Sequence, residues 1–452
     1  MRKTHAEQLA LSTIPPVHPH AEELAQISTV LDLLPKATQW VLDDVVRPGA
    51  SKALGRDGLT AEQILRALLI KQIHHYSYDE LAFHLADSAT YRAFCRLGID
   101  KPAPKKSALQ KNIKRISATT LEKINRELVL YAQAEKIESG RKVRTDCTVV
   151  ETNIHAPSDS SLLWDGVRVL GRLMSQASET FGLRFTDHRR RAKRRALGIL
   201  NAATEKRRLP LYRDLLKVTH RTLADSARLA DELDKVKAAD AASVLDAMIW
   251  AHQLRHYGGL CHRVIEQTER RVLRGEAVAA QDKIVSLFEP HTDIIVKDRR
   301  QTLYGHKVCM TAGASGMVLD VMVQQGNPAD ATLAVTMMER QDGLFGRPPR
   351  QAAFDGGFAS QSNLADIKEL GVHDVAFSKG RGIPVTDMAK SSWVYRALRR
   401  FRAGVEGVIS FLKRTFGLDR CSWQGLRSFG AYVLSSVVAC NLLVVARHLL
   451  AR

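Results

Sequence analysis

The first 135 residues of the chain carry the periodicity of helices. Apolar side chains recur every three or four positions between residues 22 and 46, which predicts helical structure. Thr60 follows a polar break and precedes Gln63 by three residues, a capping-box pattern that predicts another helix start. Short helices follow, with turns near residues 76–77 and 87–88, and then a basic helix near 105–115. Such helices are typical of helix-turn-helix DNA-binding units, and equally of any small helical bundle.

The pattern changes at residues 141–154, where β-branched side chains are frequent. In this segment Thr145 and Cys147 fall on one face, and Arg144 and Asp146 fall on the other. A period of two residues predicts a strand. The strand therefore carries a charged pair on its polar face.

A long helical block separates this strand from the others. Residues 162–285 have helical periodicity and no strand pattern. The later strands are predicted over 284–290, 350–358 and 372–380, together with a hairpin over 304–325 that turns at 314–316. A helix is predicted over 329–340, and helices end the chain.

Strands interrupted by a block of helix imply an α/β core that carries an all-α insertion. We therefore predict an α/β core in two parts, preceded by an all-α N-terminal domain that is either a DNA-binding domain or a plain helical bundle. The predicted domains are 1–135 for the N-terminal helices, 136–160 for the first part of the core, 161–285 for the all-helical insertion, and 286–452 for the rest of the core with its C-terminal helices.

The net charge narrows the class of partner. The 452 residues carry a formal charge of +19, with an isoelectric point of about 9.8. An excess of this size favours a polyanionic partner, either nucleic acid or an anionic membrane surface. The six cysteines form no C-x-x-C pair, so zinc and disulfide frameworks are not expected, and scattered thiols fit a reducing cytoplasm.

One apolar run raises the question of a membrane span. Residues 431–446 are almost wholly apolar, but they number only 16 and include Ser435, Ser436 and Asn441. A span needs about 20 apolar residues. We therefore predict a buried core helix here, and we see no secretory signal at the N-terminus.

A carboxylate flanked by cations stands in the segment "FRAGVEGVISFLKR", residues 401–414. On a helix, Arg402, Glu406 and Lys413 fall within about 40° of one another, beside an apolar stripe. The stripe is either a solvated, salt-bridged helix face or part of a functional site.

Two aspartates mark the predicted strands. Asp355 follows an apolar strand and precedes Gly356 and Gly357, at the strand end where ligand sites of α/β sheets lie. It could equally begin a turn, and Asp146 could simply pair with a neighbouring cation such as Arg144. If both aspartates converge with Glu406, their mutual repulsion requires cations, and Mg²⁺ prefers carboxylate oxygens and phosphates.

The order of these three acids resembles that of the DDE transposases of bacterial insertion sequences. The family signature Tyr-x2-Arg-x3-Glu-x6-Lys matches at Arg402, Glu406 and Lys413, with Arg399 in place of the tyrosine. "FDGGF" around Asp355 resembles the second-acid motif. "RTDCTVVETNIHAPSDSSLLWDGVRVL" resembles the first-acid strand in the form found in ISNCY-like elements, and "LRALLIKQIHHYSYDELAFHLADSATYRAFCRLGID" resembles the family's N-terminal helical domain.

The resemblance implies a fold and a chemistry. The core would be an RNase H-like mixed sheet, with Asp146, Asp355 and Glu406 as catalytic ligands of two Mg²⁺ ions, for which Mn²⁺ substitutes. The protein would bind the terminal inverted repeats of its element, cleave the DNA ends and transfer the freed strands to target DNA. It would act as a homodimer on double-stranded DNA in the cytoplasm, associated with the nucleoid, with no membrane and no nucleotide cofactor. The alternatives are an inactive or repurposed DNA-binding protein of this fold, and an RNase H-like nuclease that cuts without joining.

Several cations are predicted to contact DNA phosphates. Arg402 would do so bidentately and Lys413 as a point charge. The block at 189–195 would clamp flanking or target DNA, unless it is only a solvated helix face. The other predicted contacts are Arg399 and Lys307 in the core, Lys105, Lys106, Lys111 and Arg115 in the N-terminal helices, and Arg189, Arg190, Arg191, Arg194 and Arg195 in the basic block.

Overall fold

The computed structural model describes residues 3–5, 17–46, 58–98, 101–236, 240–297 and 301–452. Most of the N-terminal segment and most of the polar break before Thr60 lie outside these ranges. The described chain is a mixed α/β protein that divides into two compact units. The first unit combines Met1–Asn153 with His306–Arg452, and the second is Ile154–Gly305.

Seven helices precede the first strand in the described residues. They are α1 (Pro19–Asp32), α2 (Pro35–Val45), α3 (Ala61–Ile73), α4 (Tyr78–Asp87), α5 (Ala89–Phe94), α6 (Lys106–Ile113) and α7 (Ala118–Ala134). The helical structure predicted over 22–46 is confirmed, and it is divided into two helices, α1 and α2. Pro35 starts a new helix because its ring disfavours a helical conformation at Leu34 and because it has no N–H to donate.

The capping box at Thr60 is confirmed. Its hydroxyl accepts the backbone N–H of Gln63 at 3.2 Å, and its own N–H donates to the Gln63 side chain at 3.0 Å. Ser77 and Glu80 form the same reciprocal pair at the start of α4, where a turn was predicted. Short polar side chains therefore set these helix starts.

A mixed sheet forms the centre of the first unit. Its strands are β1 (Lys142–Thr152), the second half of β3 (Gln301–Ala312), β4 (Val318–Val323), β5 (Gln351–Phe354), β6 (Asp374–Phe377) and β7 (Arg420–Cys421). In the second unit, β2 (Asp293–Lys297) pairs with the first half of β3. The spatial order is β4-β3-β1-β5-β6, with β7 beside the end of β1. β1, β5 and β6 are parallel, and β3 and β4 form the predicted antiparallel hairpin.

The strand predicted over 284–290 is absent from the structure, and side chains explain why. The amide group of Gln267 accepts the backbone N–H of Ile284 at 2.9 Å and donates to its carbonyl at 3.1 Å. The hydroxyl of Ser286 then accepts the N–H groups of Phe288 and Glu289. These bonds satisfy the backbone without a neighbouring strand, so the apolar run forms a buried turn.

Helices complete the first unit after the hairpin. They are α12 (Ala334–Phe345), α13 (Gln361–Glu369), α14 (Val385–Met388), α15 (Ser392–Thr415) and α16 (Leu426–Leu450). The helix predicted over 329–340 begins as a 3₁₀ turn at Asp330–Leu333 and then continues to Phe345.

The second unit is built around four helices with their own apolar core. They are α8 (Asp159–Phe181), α9 (Arg189–Asn201), α10 (Glu205–Asp234) and α11 (Ala241–Thr268). Leu163 and Leu170 on α8 pack with Leu215 and Leu229 on α10 and with Val264 on α11. The unit therefore has a hydrophobic core distinct from that of the first unit.

Helix α16 is a core helix of the first unit. In the described residues it is the one helix long and apolar enough to cross a membrane, and 89% of its apolar window is buried inside the protein. It packs against α1, α3 and α7. Its polar side chains are satisfied there, since Ser435 and Ser436 contact Gln72 and Asn441 contacts Asn125.

We expect Asn441→Ala to lower the free energy of unfolding by about 3 kcal/mol. The Asn441 side chain accepts the Val318 N–H at 2.8 Å and donates to both the Val318 carbonyl and Asn125 at 2.7 Å. Each buried group left without a partner costs about 1–3 kcal/mol. Urea denaturation followed by circular dichroism measures the change. Asn201→Ala, at an exposed helical position, is the control and should stay within about 0.5 kcal/mol of the wild type. Equal effects of the two substitutions would contradict this account of α16.

Candidate active site

The register of the parallel strands brings two predicted acids together. β1 and β5 pair with Thr145 opposite Phe354. The next residue in each strand is an aspartate, so Asp146 and Asp355 emerge side by side. Asp355 is the last extended residue before the 3₁₀ turn Gly356–Phe358. The two carboxylates therefore share one position at the edge of the sheet.

Helix α15 lies against β1, β5 and β6 and carries the third acid. Gly404 leaves room for the guanidinium of Arg144, which a Cβ at that position would displace. That guanidinium donates to the carbonyl of Phe401 at 3.1 Å and stacks on its ring at 4.7 Å. Arg144 thus anchors the helix one residue before Arg402.

One guanidinium joins all three predicted acids. Nη2 of Arg402 lies 2.9 Å from Oδ2 of Asp146 and 3.2 Å from Oδ1 of Asp355. Nη1 of the same side chain lies 2.8 Å from Oε1 of Glu406. Asp146 and Asp355 both contact Nη2 of Arg402, so the distance between their two oxygens cannot exceed the sum of these two contact distances. The arginine is 15% exposed, whereas Glu406 is 67% exposed.

The two aspartates differ in electrostatics. Burial raises the pKa of Asp146 to about 6, against the attraction of Arg402, and the charges of Asp355 and Asp330 act in the same direction as burial. Burial also acts on Asp355, but hydrogen bonds from the Ser378 hydroxyl at 2.7 Å and from the Gly356 N–H outweigh it and hold the pKa of Asp355 below its usual value. The site therefore pairs one carboxyl that retains its proton readily with one that does not.

A fourth acid belongs to this neighbourhood, and sequence reasoning missed it. Asp330 begins the 3₁₀ turn after the hairpin and accepts a bond from Lys307 at 2.8 Å. A Cβ on Gly357 would come within 2.9 Å of its carboxylate, so the glycine after the second-acid turn lets Asp330 approach. Lys307 is only 12% exposed and also donates to the Pro328 carbonyl. Its predicted role was DNA contact, but the structure places it as the partner of Asp330.

The donor chemistry of the site suits a hard divalent cation. Carboxylate oxygens are what Mg²⁺ prefers, and Asp146 and Asp355 already share a single cationic nitrogen. Within the ranges that the structure describes, no three His, Cys, Asp or Glu side chains are grouped closely enough to hold a metal ion. The guanidinium of Arg402 takes up the space between the carboxylates, and its buried Nε has no hydrogen-bond partner. The donor atoms of these acids suit a divalent cation, and binding one there would require the Arg402 side chain to leave its place between the carboxylates.

The other two residues of the predicted signature lie away from the acids. Lys413 donates to the Val149 carbonyl at 3.0 Å and contacts Asp419 at 3.2 Å, near the far end of β1. Arg399 is exposed and lies over the ring of Tyr395. Tyr395 is buried one helical turn before Arg399, and its hydroxyl donates to the Phe377 carbonyl.

A cavity of about 690 Å³ opens beside the acids and is lined mainly by cations. Its walls are Ser378, Trp393, Arg396, Arg399, Arg400, Arg402 and Ala403. Arg396 and Arg400 were not predicted, although on the same helix Arg396 stands three positions before Arg399 and Arg400 directly follows it. Trp393 is 66% exposed at the rim. The cavity suits a polyanion with planar groups.

Of the remaining residues predicted to contact DNA, some are bonded to carboxylate or carbonyl groups of the protein and others are exposed. Lys106 is paired with Asp79, and Arg115 donates to the Val45 carbonyl, while Lys105 and Lys111 are exposed. In the basic block, carboxylates neutralise three arginines and leave two exposed. The engaged ones are Arg189 with Asp187, and Arg191 and Arg195 with Asp214; the exposed ones are Arg190 and Arg194.

Two family models match the chain. The first is described as "Transposase DDE domain" and covers residues 290–442, which include Asp355, Arg402 and Glu406. The second is described as "Transposase domain (DUF772)" and covers residues 13–115. The chain belongs to the DDE transposases of insertion sequences. No curated protein and no solved structure matches it.

The two matches leave part of this transposase uncovered. Residues 116–289, which contain Asp146 and nearly all of the second unit, lie outside both models. The assignment of Asp146 as the first acid therefore rests on its register with Asp355 and on their shared contact with Arg402. The narrower resemblance to ISNCY-like elements stays a prediction.

We expect the stability of Asp146→Asn relative to the wild type to depend on pH. The carboxyl has a pKa of about 6 in the folded chain and about 3.9 when unfolded, so between these values the unfolded chain releases a proton that the folded chain keeps, and stability falls as the pH rises. Between about pH 4 and pH 7 the wild type should lose up to ~3 kcal/mol relative to the Asn variant, which stays neutral. Urea unfolding across this range measures the difference. Asp366→Asn, at an exposed site, controls for loss of one negative charge. A pH-independent difference would contradict the buried assignment of Asp146.

Proposed function

We propose that this transposase binds the terminal inverted repeats of its element, cleaves the DNA ends and joins the freed strands to target DNA. The observation that carries the proposal is the contact of Asp146, Asp355 and Glu406 with the single guanidinium of Arg402. Acids from a strand, a strand end and a distant helix would not meet at one cation in a merely solvated salt-bridge face. The strand order β4-β3-β1-β5-β6, with three parallel members, supports an RNase H-like core.

The three acids would hold two Mg²⁺ ions, and DDE transposases generally use divalent metals. Such ions activate a water or a 3′-hydroxyl and stabilise the leaving oxygen of a phosphodiester. The protein's own contribution is placement. Ser378 and the Gly356 N–H orient Asp355, and the Cys147 N–H holds Oδ1 of Asp146 at 2.8 Å. Both carboxylates are thus fixed before any ligand arrives.

Arg402 has a second partner available in this reaction. A guanidinium binds phosphate with the same bidentate geometry as carboxylate. Arg402 lines the cavity together with Arg396, Arg399 and Arg400, so phosphates of a DNA strand in that cavity would lie beside the acids. We propose that Arg402 passes from the carboxylates to a DNA phosphate when the substrate binds.

Recognition of the element ends would fall to the N-terminal helices. Lys105 and Lys111, on α6 and at its N-terminal edge, are exposed, and they are the candidates for phosphate contact there because the third exposed lysine, Lys106, is paired with Asp79. We propose further that the protein acts as a homodimer on DNA, since two ends must be cut, and that it works in the cytoplasm on the nucleoid.

Glu406→Gln should abolish DNA cleavage while leaving DNA binding intact. The side chain is 67% exposed, so its loss removes a ligand without disturbing the core. The assay incubates the full chain with its element's end DNA and Mg²⁺ or Mn²⁺, and follows both nicked and joined products. Glu369→Gln, at another exposed helical glutamate, should cleave at the wild-type rate. Full activity of Glu406→Gln would remove this residue from the site. Nicking without any joined product in the wild type would favour a nuclease over a transposase.

Arg402→Ala should reduce the rate of strand transfer at least tenfold, because the variant loses a phosphate ligand beside the reacting bond. In the absence of DNA the same variant should bind Mn²⁺ more tightly than the wild type, since the guanidinium no longer competes for the carboxylates. Paramagnetic titration of Mn²⁺ measures the second effect. If Arg402 were only a surface ion-pair partner, the substitution would change stability by less than about 1 kcal/mol and would leave both readouts unchanged.

A further inference from the structure

The positive charge of the chain is concentrated in one helical hairpin of the second unit. Residues 189–221 hold twelve lysines and arginines against two acids, a net charge of +10 out of the +19 of the whole chain. The segment comprises α9 and the first half of α10. Its two acids are Glu205 and Asp214. Twelve of the chain's 67 lysines and arginines in such a short segment would repel one another unless something neutralises them.

The fold neutralises some of these cations and leaves others facing solvent. Asp214 on α10 accepts bonds from both Arg191 and Arg195, and Asp187 accepts bonds from Arg189. The cations on the opposite side of α9 are exposed and, within the described chain, lie outside ion-pair distance of any carboxylate. They are Arg190, Lys193 and Arg194.

Helix α10 repeats this arrangement. Arg213, Lys217 and Arg221 recur at intervals of four residues, so they form one stripe about 6 Å apart along the helix axis. All three are exposed, and in the part of the chain that the structure describes they too have no carboxylate partner. Farther along α10 the pattern differs, because Arg228 is paired with Asp225 and Glu232. Along α10, the exposed unpaired cations therefore precede Arg228.

The exposed cations of α9 and those of α10 lie on one side of the bundle. α9 and α10 run antiparallel, since Arg191 meets Asp214 while Gly198 lies against Leu211. These contacts form the seam between the helices. The exposed cations of α9 and of α10 stand on the outer side of that seam, and the buried apolar residues stand on the inner side. The result is a basic face made of two adjacent helices.

We propose that the outward face of the α9–α10 hairpin binds the sugar–phosphate backbone of duplex DNA through Arg190, Lys193, Arg194, Arg213, Lys217 and Arg221. The choice of DNA as the polyanion rests on the proposed function. Single strands are bound on exposed aromatic rings. In residues 189–221 the one Phe, Tyr or Trp is Tyr212, and its ring is only partly exposed. The face therefore suits a charged duplex surface and makes contacts that carry no base sequence.

The hairpin itself supplies a matched pair of variants for the test. Arg190→Gln with Arg194→Gln removes two exposed charges, and Arg191→Gln with Arg195→Gln removes two that Asp214 neutralises. Both double variants change the same helix at the same spacing by the same charge. Affinity of the full chain for a duplex of random sequence is measured by fluorescence anisotropy over a range of salt concentrations.

The log–log salt slope should become shallower by about 1.8 in the exposed double variant, because each lost phosphate contact removes about 0.9. The seam variant should keep the wild-type slope, and adding Arg213→Gln and Lys217→Gln to the exposed variant should remove about 1.8 more. Circular dichroism confirms that each variant is folded. Equal changes in the two double variants would reduce the effect to net charge and overturn the proposal. So would an unchanged slope in the exposed variant, or tighter binding to anionic lipid vesicles than to duplex DNA.

Failure of this surface and failure of the proposed function give different results. A wild type that binds DNA with the expected variant slopes but cuts no DNA would overturn the transposase chemistry and support the basic face. A wild type that cuts its element ends, with variants that all keep the wild-type salt slope, would support the transposase chemistry and overturn the basic face.

Discussion

The arrangement of the candidate site in the first unit depends on one cation placed among three acids. The carboxylates of Asp146 and Asp355 would repel one another at the sheet edge if no cation lay between them. The guanidinium of Arg402 contacts these two and Glu406 at once, and it stands on a helix that Arg144 anchors. The protein can therefore hold its acids close together and ready in the absence of any metal ion. The same arrangement makes the arginine a competitor for whatever cation the acids are meant to bind.

Much of this arrangement could be predicted from local pattern. Alternation in residues 141–154 predicted β1, and the glycines after Asp355 marked a strand end. The register of β1 with β5 then places two predicted acids side by side, which no local pattern could show. Arg402 was predicted to hold phosphate beside the acids, but its contact with all three was not foreseen. That contact joins residues more than 250 positions apart in sequence, and the choice among many arginines depends on how a helix packs on the sheet.

Where prediction failed, side-chain hydrogen bonds had overridden local pattern. Residues 284–290 look like a strand, yet the amide of Gln267 satisfies the backbone of Ile284. The basic block looks uniform in sequence, yet Asp214, some twenty residues away, neutralises two of its arginines and leaves their neighbours exposed. The role of Asp330 was missed for a similar reason, because it lies in a turn that carries no motif of its own. In each case the residue that determines the local structure is too far away in sequence to affect the periodicity of the segment.

The first unit is assembled from both ends of the chain, with the second unit between them. Asp146 is synthesised early, whereas Arg402 and Glu406 emerge from the ribosome some 250 residues later, and α16, which covers α1, α3 and α7, comes last. A nascent or prematurely terminated chain therefore lacks both an acid and the helix that closes the core. If the two proposals above hold, such fragments would keep the basic hairpin that binds DNA and lack an acid that cutting needs. Truncated copies would then compete for DNA without adding strand breaks.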